Sequence, residues 1–208
     1  MSRIYHIKQL TPAQTAEIAA QIDEGAVVVF PTDTVYGIGT NAFNEDAISR
    51  IYAIKNRPAH AALQILVSSK NQAQNITCWS AEADKLADAF WPGGLTLILP
   101  ANETGKPLLR GFKGLGLRMP DYPSLCALLQ QMKYPLVSTS ANLHGESVFT
   151  QEEKILEFFD GKADLILLGG DLSCISSSVV DLTQGVKLLR EGSVQGKMLE
   201  KILGFGVQ

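Results

Sequence analysis

Two cations stand one residue apart in Lys55-Asn56-Arg57, directly before Pro58. An arginine fork grips a phosphate or carboxylate through paired N–H donors, and a lysine ammonium adds a point charge. The pair therefore suits an anionic ligand in a cleft, although cations at a helix end also simply answer the macrodipole. A second polar run, Ser138-Thr139-Ser140-Ala141-Asn142, follows the apolar Pro135-Leu136-Val137. Its side chains could hold a ribose, a phosphate or an amino acid, or could cap a loop. Pro31-Thr32-Asp33-Thr34-Val35-Tyr36-Gly37-Ile38-Gly39 offers hydroxyls beside glycines that allow close backbone approach, and also reads as a capped turn. Arg118 sits inside a short apolar stretch, where a buried guanidinium needs an anionic partner from the protein or from a ligand. Ser176-Ser177-Ser178 precedes a strand and Arg190 follows Leu188-Leu189, each a weak signal alone.

Common catalytic motifs are missing. Thr104-Gly105-Lys106-Pro107 lacks the glycine and hydroxyl spacing of a phosphate loop. Gly111, Gly114 and Gly116 lead into a strand rather than opening a helix. No G-x-S-x-G elbow occurs.

The elements that must carry these residues alternate between helix and strand. Thr11, Pro12 and Gln14 form a capping box for a helix with Ile18 and Ile22 on one face, ended by Gly25. Val27 to Phe30 reads as a buried strand. Asn44 caps a helix with Ile48, Ile51 and Tyr52 as its stripe, and Lys55 continues that spacing. Leu63 to Val67, Leu95 to Leu99 and Leu115 to Met119 read as strands, and Ser80 opens a helix through Phe90. A helix carries Leu125, Leu128, Leu129 and Met132; Pro135 to Ser138 is a strand running into a polar loop. Thr150 and Glu153 suggest a second capping box, followed by a strand over Ala163 to Leu168. Ser178 to Leu182 and Val186 to Leu189 pair around Thr183-Gln184-Gly185, and a last helix covers Lys197 to Leu203. The expectation is a single α/β domain over residues 1–208, a mixed sheet with helices on its faces.

The 208 residues, 46% hydrophobic, are enough for such a core, and a formal charge of -3 does not favour a basic nucleic-acid surface. Cys78, Cys126 and Cys174 have no metal-ligand spacing, nor do His6, His60 and His144, so no metal site is expected. The sequence contains neither a signal-peptide pattern nor a membrane-length apolar run, which points to the cytoplasm and no membrane partner.

Taken in order, the stretches PTDTVYGIG (31–39), KNRP (55–58), WPGGLTLIL (91–99), GLRMPDYP (116–123), STSANLHG (138–145), SSSVVDL and LLREG resemble the YrdC-like family, from about residue 12 to 195. The resemblance implies a twisted α/β sheet with a large concave cationic cavity. It implies an L-threonylcarbamoyladenylate synthase, a nucleotidyltransferase joining L-threonine, bicarbonate and ATP into threonylcarbamoyl-AMP and pyrophosphate. That product is the donor for N6-threonylcarbamoyladenosine at adenosine 37 of tRNAs reading ANN codons, completed by a separate transferase complex. By resemblance, Thr34, Arg118, Ser138 and Ser177 hold threonine, with Arg118 on its carboxylate. Lys55, Arg57, Ser140, Asn142 and Arg190 surround the ATP phosphates and nucleotide, and Val148 meets the adenosine through its backbone. Lys55 and Arg57 are the implied catalytic pair, acting by charge stabilisation. Magnesium is implied with ATP, held mainly by the phosphates. The alternative from another class is a non-catalytic RNA-binding protein of the same fold acting on tRNA or rRNA. Its signature is salt-sensitive RNA affinity without ATP turnover. A carbamoyl-transfer domain of hydrogenase maturation proteins ranks last, because those sit within longer multi-module chains.

Overall fold

The computed structural model describes residues 1–207 except Arg57, Ala59, His60, His144, Ser173 and Cys174. In chain order its strands are β1 (Arg3–His6), β2 (Val28–Phe30), β3 (Gly37–Asn41), β4 (Gln64–Leu66), β5 (Leu95–Leu99), β6 (Leu115–Arg118), β7 (Leu136–Ser140), β8 (Leu165–Leu168), β9 (Ser178–Asp181) and β10 (Lys187–Arg190). Its helices are α1 (Pro12–Asp23), α2 (Glu45–Ile54), α3 (Lys70–Gln74), α4 (Ala81–Phe90), α5 (Pro123–Gln131), α6 (Glu152–Phe159) and α7 (Gly196–Leu203). The expected mixed α/β class is what forms. The chain's contacts divide it into two compact units, each made of two separate stretches of sequence.

The first unit comprises Met1–Leu63 and Tyr122–Cys174. Its strands run in the order β1-β8-β2-β3-β7. The β8 strand is parallel to both β1 and β2, while β3 is antiparallel to β2 and to β7. Val27, Val29, Tyr36, Ile38, Ile51, Ile155, Phe159 and Ile166 build its core. The second unit comprises Gln64–Asp121 and Ile175–Gln208. Its strands run β4-β6-β5-β9-β10. Here β4 is parallel to β6 and β5 to β9, while β5–β6 and β9–β10 are antiparallel. Helix α4 packs on α7, and Leu86, Leu95, Leu97, Leu117, Val180 and Leu199 are fully buried.

The helix starts follow their capping chemistry. Thr11 Oγ1 accepts from the Gln14 N–H while the Gln14 side chain accepts from the Thr11 N–H, closing the capping box of α1. Asn44 and Ser80 cap α2 and α4 through the N–H of Ala47 and Ala83. Expectation and structure part at α6. Gln151 is its N-cap, without a side-chain cap bond, and the box at Thr150 does not form. Asp171 takes the orphan Glu152 N–H instead, at 3.1 Å, and Glu152 Oε1 accepts the Gly170 N–H at 2.6 Å. A carboxylate distant in sequence has replaced the local cap.

The other large difference concerns β3 and β7. Residues 37–41 form a buried strand where the sequence suggested a glycine turn, and β7 runs through Ser140 rather than stopping at Ser138. The two strands pair Gly37 with Ser140 and Gly39 with Ser138. The glycines are needed for closeness. A Cβ on Gly37 would lie 2.8 Å from the Phe30 ring, and one on Gly39 2.5 Å from the Val137 carbonyl oxygen. Strand β1 and the short helix α3 are likewise elements without a periodicity strong enough to announce them.

Candidate functional site

In the first unit, α2 delivers Lys55 as its C-cap, and Asn56 turns the chain away in the left-handed region, at φ 48°. Asparagine tolerates that conformation better than most residues. Lys55 is 1% exposed, so its ammonium has left water and must find acceptors. It donates to the carbonyl oxygens of Ser140 and Asn142, and to Asn142 Oδ1 at 3.0 Å. Ser140 Oγ donates to the same Asn142 Oδ1 at 2.7 Å, and Asn142 Nδ2 donates to the Glu146 carbonyl at 2.6 Å. The amide orientation of Asn142 follows: its oxygen faces donors and its nitrogen faces a carbonyl. Lys55, Ser140 and Asn142, grouped by sequence resemblance, form one hydrogen-bonded network in the structure. Arg57 lies outside the described residues.

The same unit carries the threonine-rich turn after β2. Thr32 Oγ1 donates to the Val35 carbonyl at 2.7 Å and accepts from the N–H of Thr34 and Val35, which closes the turn. Thr34, 3% exposed, lies 3.0 Å from it, hydroxyl to hydroxyl. Thr32 is therefore a positioning residue that the sequence did not separate from its neighbours. Tyr36 anchors the turn's far side. Its hydroxyl accepts from the Gly169 N–H at 3.0 Å and donates to the Gly170 carbonyl at 2.9 Å, while its own carbonyl accepts the Ala141 N–H at 2.7 Å. Burial, the largest influence, pushes the Tyr36 phenol far above its usual range, so it stays a donor. Ser138 is 3% exposed on β7, and its hydroxyl has no hydrogen-bond partner among the described residues. Val148 lines a pocket of about 590 Å³ formed by residues 145–151 and Lys154.

In the second unit, Arg118 closes β6 and is 3% exposed. Its Nε donates to the Gly93 carbonyl at 3.0 Å. Ser177, also 3% exposed, precedes β9. Its carbonyl accepts a fork from Arg190, Nε at 3.1 Å and Nη2 at 2.9 Å, and Nη2 also reaches Ser177 Oγ at 3.3 Å. Desolvation lowers the Arg190 pKa from its ordinary value, although its side chain is exposed overall. Ser178 has a different task from its neighbour. Its hydroxyl donates to the Val194 carbonyl and accepts from the N–H of Gly192 and Val194. It fastens the chain after β10, where Gly192 is required because a Cβ would meet the Ser176 carbonyl oxygen at 2.2 Å. Thr96, the lone hydroxyl in the apolar run LTLIL, lies 3.0 Å from Ser177 Oγ and was not among the expected site residues. A solitary polar residue at a buried strand position was the signal for it.

Six of the residues assigned by resemblance, Thr34, Lys55, Arg118, Ser138, Asn142 and Ser177, are among the twelve buried polar or charged residues described. Burying such groups costs free energy that a core does not require. In the first unit Thr34, Lys55, Ser138 and Asn142 lie on or just beyond the ends of β2, α2 and β7, and in the second Arg118 ends β6 and Ser177 stands at the entry to β9; each set is a candidate ligand-binding group within its own unit. No group of three or more His, Cys, Asp or Glu residues that could hold a metal ion occurs among the described residues. No helix there is long and apolar enough to cross a membrane.

Residues 20–192 match the Sua5/YciO/YrdC family model, described as telomere recombination. The chain is 36% identical over 196 residues to a threonylcarbamoyl-AMP synthase of Bacillus subtilis strain 168, covering 92% of this chain and 57% of that protein. It is 36% identical over 209 residues to a threonylcarbamoyl-AMP synthase of Pyrococcus abyssi, covering 98% of this chain and 62% of that protein. The crystal structure of P. abyssi Sua5 complexed with L-threonine superposes with a TM-score of 0.89 at 33% identity, over 100% of this chain and 62% of that one. The chain thus spans less than two thirds of the length of these relatives.

Proposed function

The chain belongs to the Sua5/YciO/YrdC family, and from that premise we propose that it is an L-threonylcarbamoyladenylate synthase. It takes L-threonine, bicarbonate and ATP to threonylcarbamoyl-AMP and pyrophosphate. The observation that carries this reading is the burial of hydrogen-bonded polar groups in each unit, Lys55 and Asn142 in the first and Arg118 and Ser177 in the second, with Ser138, four residues before Asn142, buried and its hydroxyl lacking a partner among the described residues. The names of the Bacillus and Pyrococcus relatives support it.

The threonine amine adds to bicarbonate with loss of water, giving a carbamate. A carbamate oxygen then attacks the α-phosphorus, and pyrophosphate leaves with its electron pair. Arg118 pairs with the threonine carboxylate, and Thr34, Ser138 and Ser177 supply neutral hydrogen bonds to the amino acid. Lys55 and Arg57 stabilise charge as it develops on the phosphoryl oxygens, while Ser140, Asn142 and Arg190 orient the nucleotide. The backbone at Val148 meets the adenosine. Magnesium would enter with ATP, held by the phosphates, and would neutralise part of their charge, while Lys55, Ser140, Asn142 and Arg190 supply cations, amides and hydroxyls to the nucleotide. The product serves N6-threonylcarbamoyladenosine formation in tRNA, through a transferase complex.

The test is pyrophosphate release from ATP and magnesium, with and without threonine and bicarbonate, beside a Lys55→Ala control. Release that needs both co-substrates and is lost in the control is expected. Salt-sensitive RNA binding with no release in any mixture would replace the synthase with an RNA-binding protein.

A further inference from the structure

Within the second unit, four side chains form an unbroken series: Arg190, Ser177, Thr96 and Gln64. Thr96 Oγ1 donates to Gln64 Oε1 at 3.3 Å. A hydroxyl has one proton, so the 3.0 Å contact between Thr96 Oγ1 and Ser177 Oγ must be donated by Ser177. Arg190 Nη2 can only donate, and it reaches Ser177 Oγ at 3.3 Å. The series therefore has one polarity: Arg190 to Ser177, Ser177 to Thr96, Thr96 to Gln64. Thr96 and Ser177 are each 3% exposed, so water does not readily substitute for either partner.

We infer that Thr96 is a positioning residue that makes Ser177 a hydrogen-bond acceptor toward the amino-acid substrate. The Ser177 proton is committed inward to Thr96, one lone pair takes Arg190, and the remaining lone pair is all it has left to offer. Ser177 then recognises a donor on the ligand, not its carboxylate. The donor is the amino group or the side-chain hydroxyl of the amino acid. A division of labour with Arg118 follows, since a guanidinium takes only acceptors. The position of Ser177 is held independently of its proton: Arg190 grips its carbonyl with two bonds, and Ser178 fastens the adjoining loop. Thr96 thus acts on the polarity of Ser177 rather than on its location.

This inference rests on the synthase reading, and the experiment separates the two. Full-length wild type, Thr96→Val and Thr96→Ser are compared by pyrophosphate release at varied threonine and at varied ATP. The Arg190 Nη2–H resonance, whose donor reaches Ser177 Oγ, is followed in the same proteins by NMR. Valine keeps the shape of Thr96 and removes the acceptor, so Ser177 is released to donate. The expected result is a threonine KM raised about tenfold in Thr96→Val, the effect of one buried hydrogen bond, with the ATP KM unchanged. Thr96→Ser restores the threonine KM, and the Arg190 resonance moves only in the valine variant. L-2-Aminobutyrate, which lacks the hydroxyl, identifies the donor: a penalty that persists assigns it to the amine, and one that vanishes to the hydroxyl. An unmoved Arg190 resonance in Thr96→Val overturns the inference. So does a parallel rise of both KM values with a lowered Tm, which marks a packing role. A wild type indifferent to threonine, with the resonance displaced only in Thr96→Val, sinks the synthase reading and leaves the polarity of the series standing.

Discussion

The two units handle a buried polar site in opposite ways. In the first, a cation is the builder: Lys55 gathers two carbonyls and an amide oxygen, and these acceptors fold residues 140–142 around it. In the second, the forked cation stands outside. Arg190 is exposed and clasps the Ser177 carbonyl, while hydroxyls and an amide run inward from it. The first arrangement is rigid, because each member satisfies several others and the loss of one strands the rest. The second is directional, because each hydroxyl hands its single proton one way. A lysine suits the first task since its ammonium can spread donors over a concave set of oxygens. An arginine suits the second, since its planar fork fits one carbonyl.

The contrast breaks most severely at Lys55. Lys55→Ala removes the buried ammonium that three acceptors share, so we expect about 3 kcal/mol or more of lost stability and at least a hundredfold loss of pyrophosphate release. Denaturant melts and turnover measure both. Truncating the outer cation, Arg190→Ala, is expected to leave Tm nearly unchanged while weakening turnover, which sharpens the distinction between a builder and a clasp. Glycine substitutions come next. Gly192→Ala places a Cβ 2.2 Å from the Ser176 carbonyl oxygen, and Gly39→Ala places one 2.5 Å from that of Val137. Each should cost about 1–3 kcal/mol through backbone displacement. Gly192→Ala should move Ser177, read as a raised threonine KM; Gly39→Ala should move Ser138 and open β3 from β7, read as lost amide-exchange protection.

Smaller effects lie in the first unit's clamps. Tyr36→Phe removes the partner of both the Gly169 N–H and the Gly170 carbonyl, and about 1–2 kcal/mol is expected in a denaturant melt. Tyr122→Phe, whose contact with the Gly169 carbonyl spans 3.4 Å, should cost less. The smallest change is Asp164→Asn. Burial raises that carboxyl, but the Arg50 guanidinium at 2.9 Å and the Val27 N–H at 2.7 Å outweigh it, and the net pKa is lowered. A depressed acid stabilises the fold above its unfolded pKa of about 3.9, and the contribution disappears as pH falls through the folded value. The side chain is 41% exposed, so the difference at neutral pH should stay below about 1 kcal/mol and vanish in acid melts.

Much of this was legible before any coordinates. The caps at Thr11, Asn44 and Ser80 are local chemistry, a side-chain oxygen three residues before its N–H, and they form as read. The apolar strands β2, β5 and β8 declare themselves by runs of Val, Leu and Ile. The strand β3 did not, because its glycines serve approach to Phe30 and Val137 rather than burial of their own side chains. Thr150 looked like a cap and lost to Asp171, a residue whose nearness depends on the fold.

For the site, the sequence by itself determined which residue types were available and in what order: the cation pair before Pro58, the hydroxyl run that ends β7, the arginines at the ends of β6 and β10. Hydrogen-bonding capacity is a property of each side chain, so it can be read from composition and spacing. Only the tertiary structure decided who bonds to whom. Ser177 and Ser178 are identical neighbours, yet one has its hydroxyl tied into the Thr96 series and the other fastens a loop. Alternation along an extended chain sends adjacent side chains to opposite faces, and what waits on each face is set by residues far away in sequence.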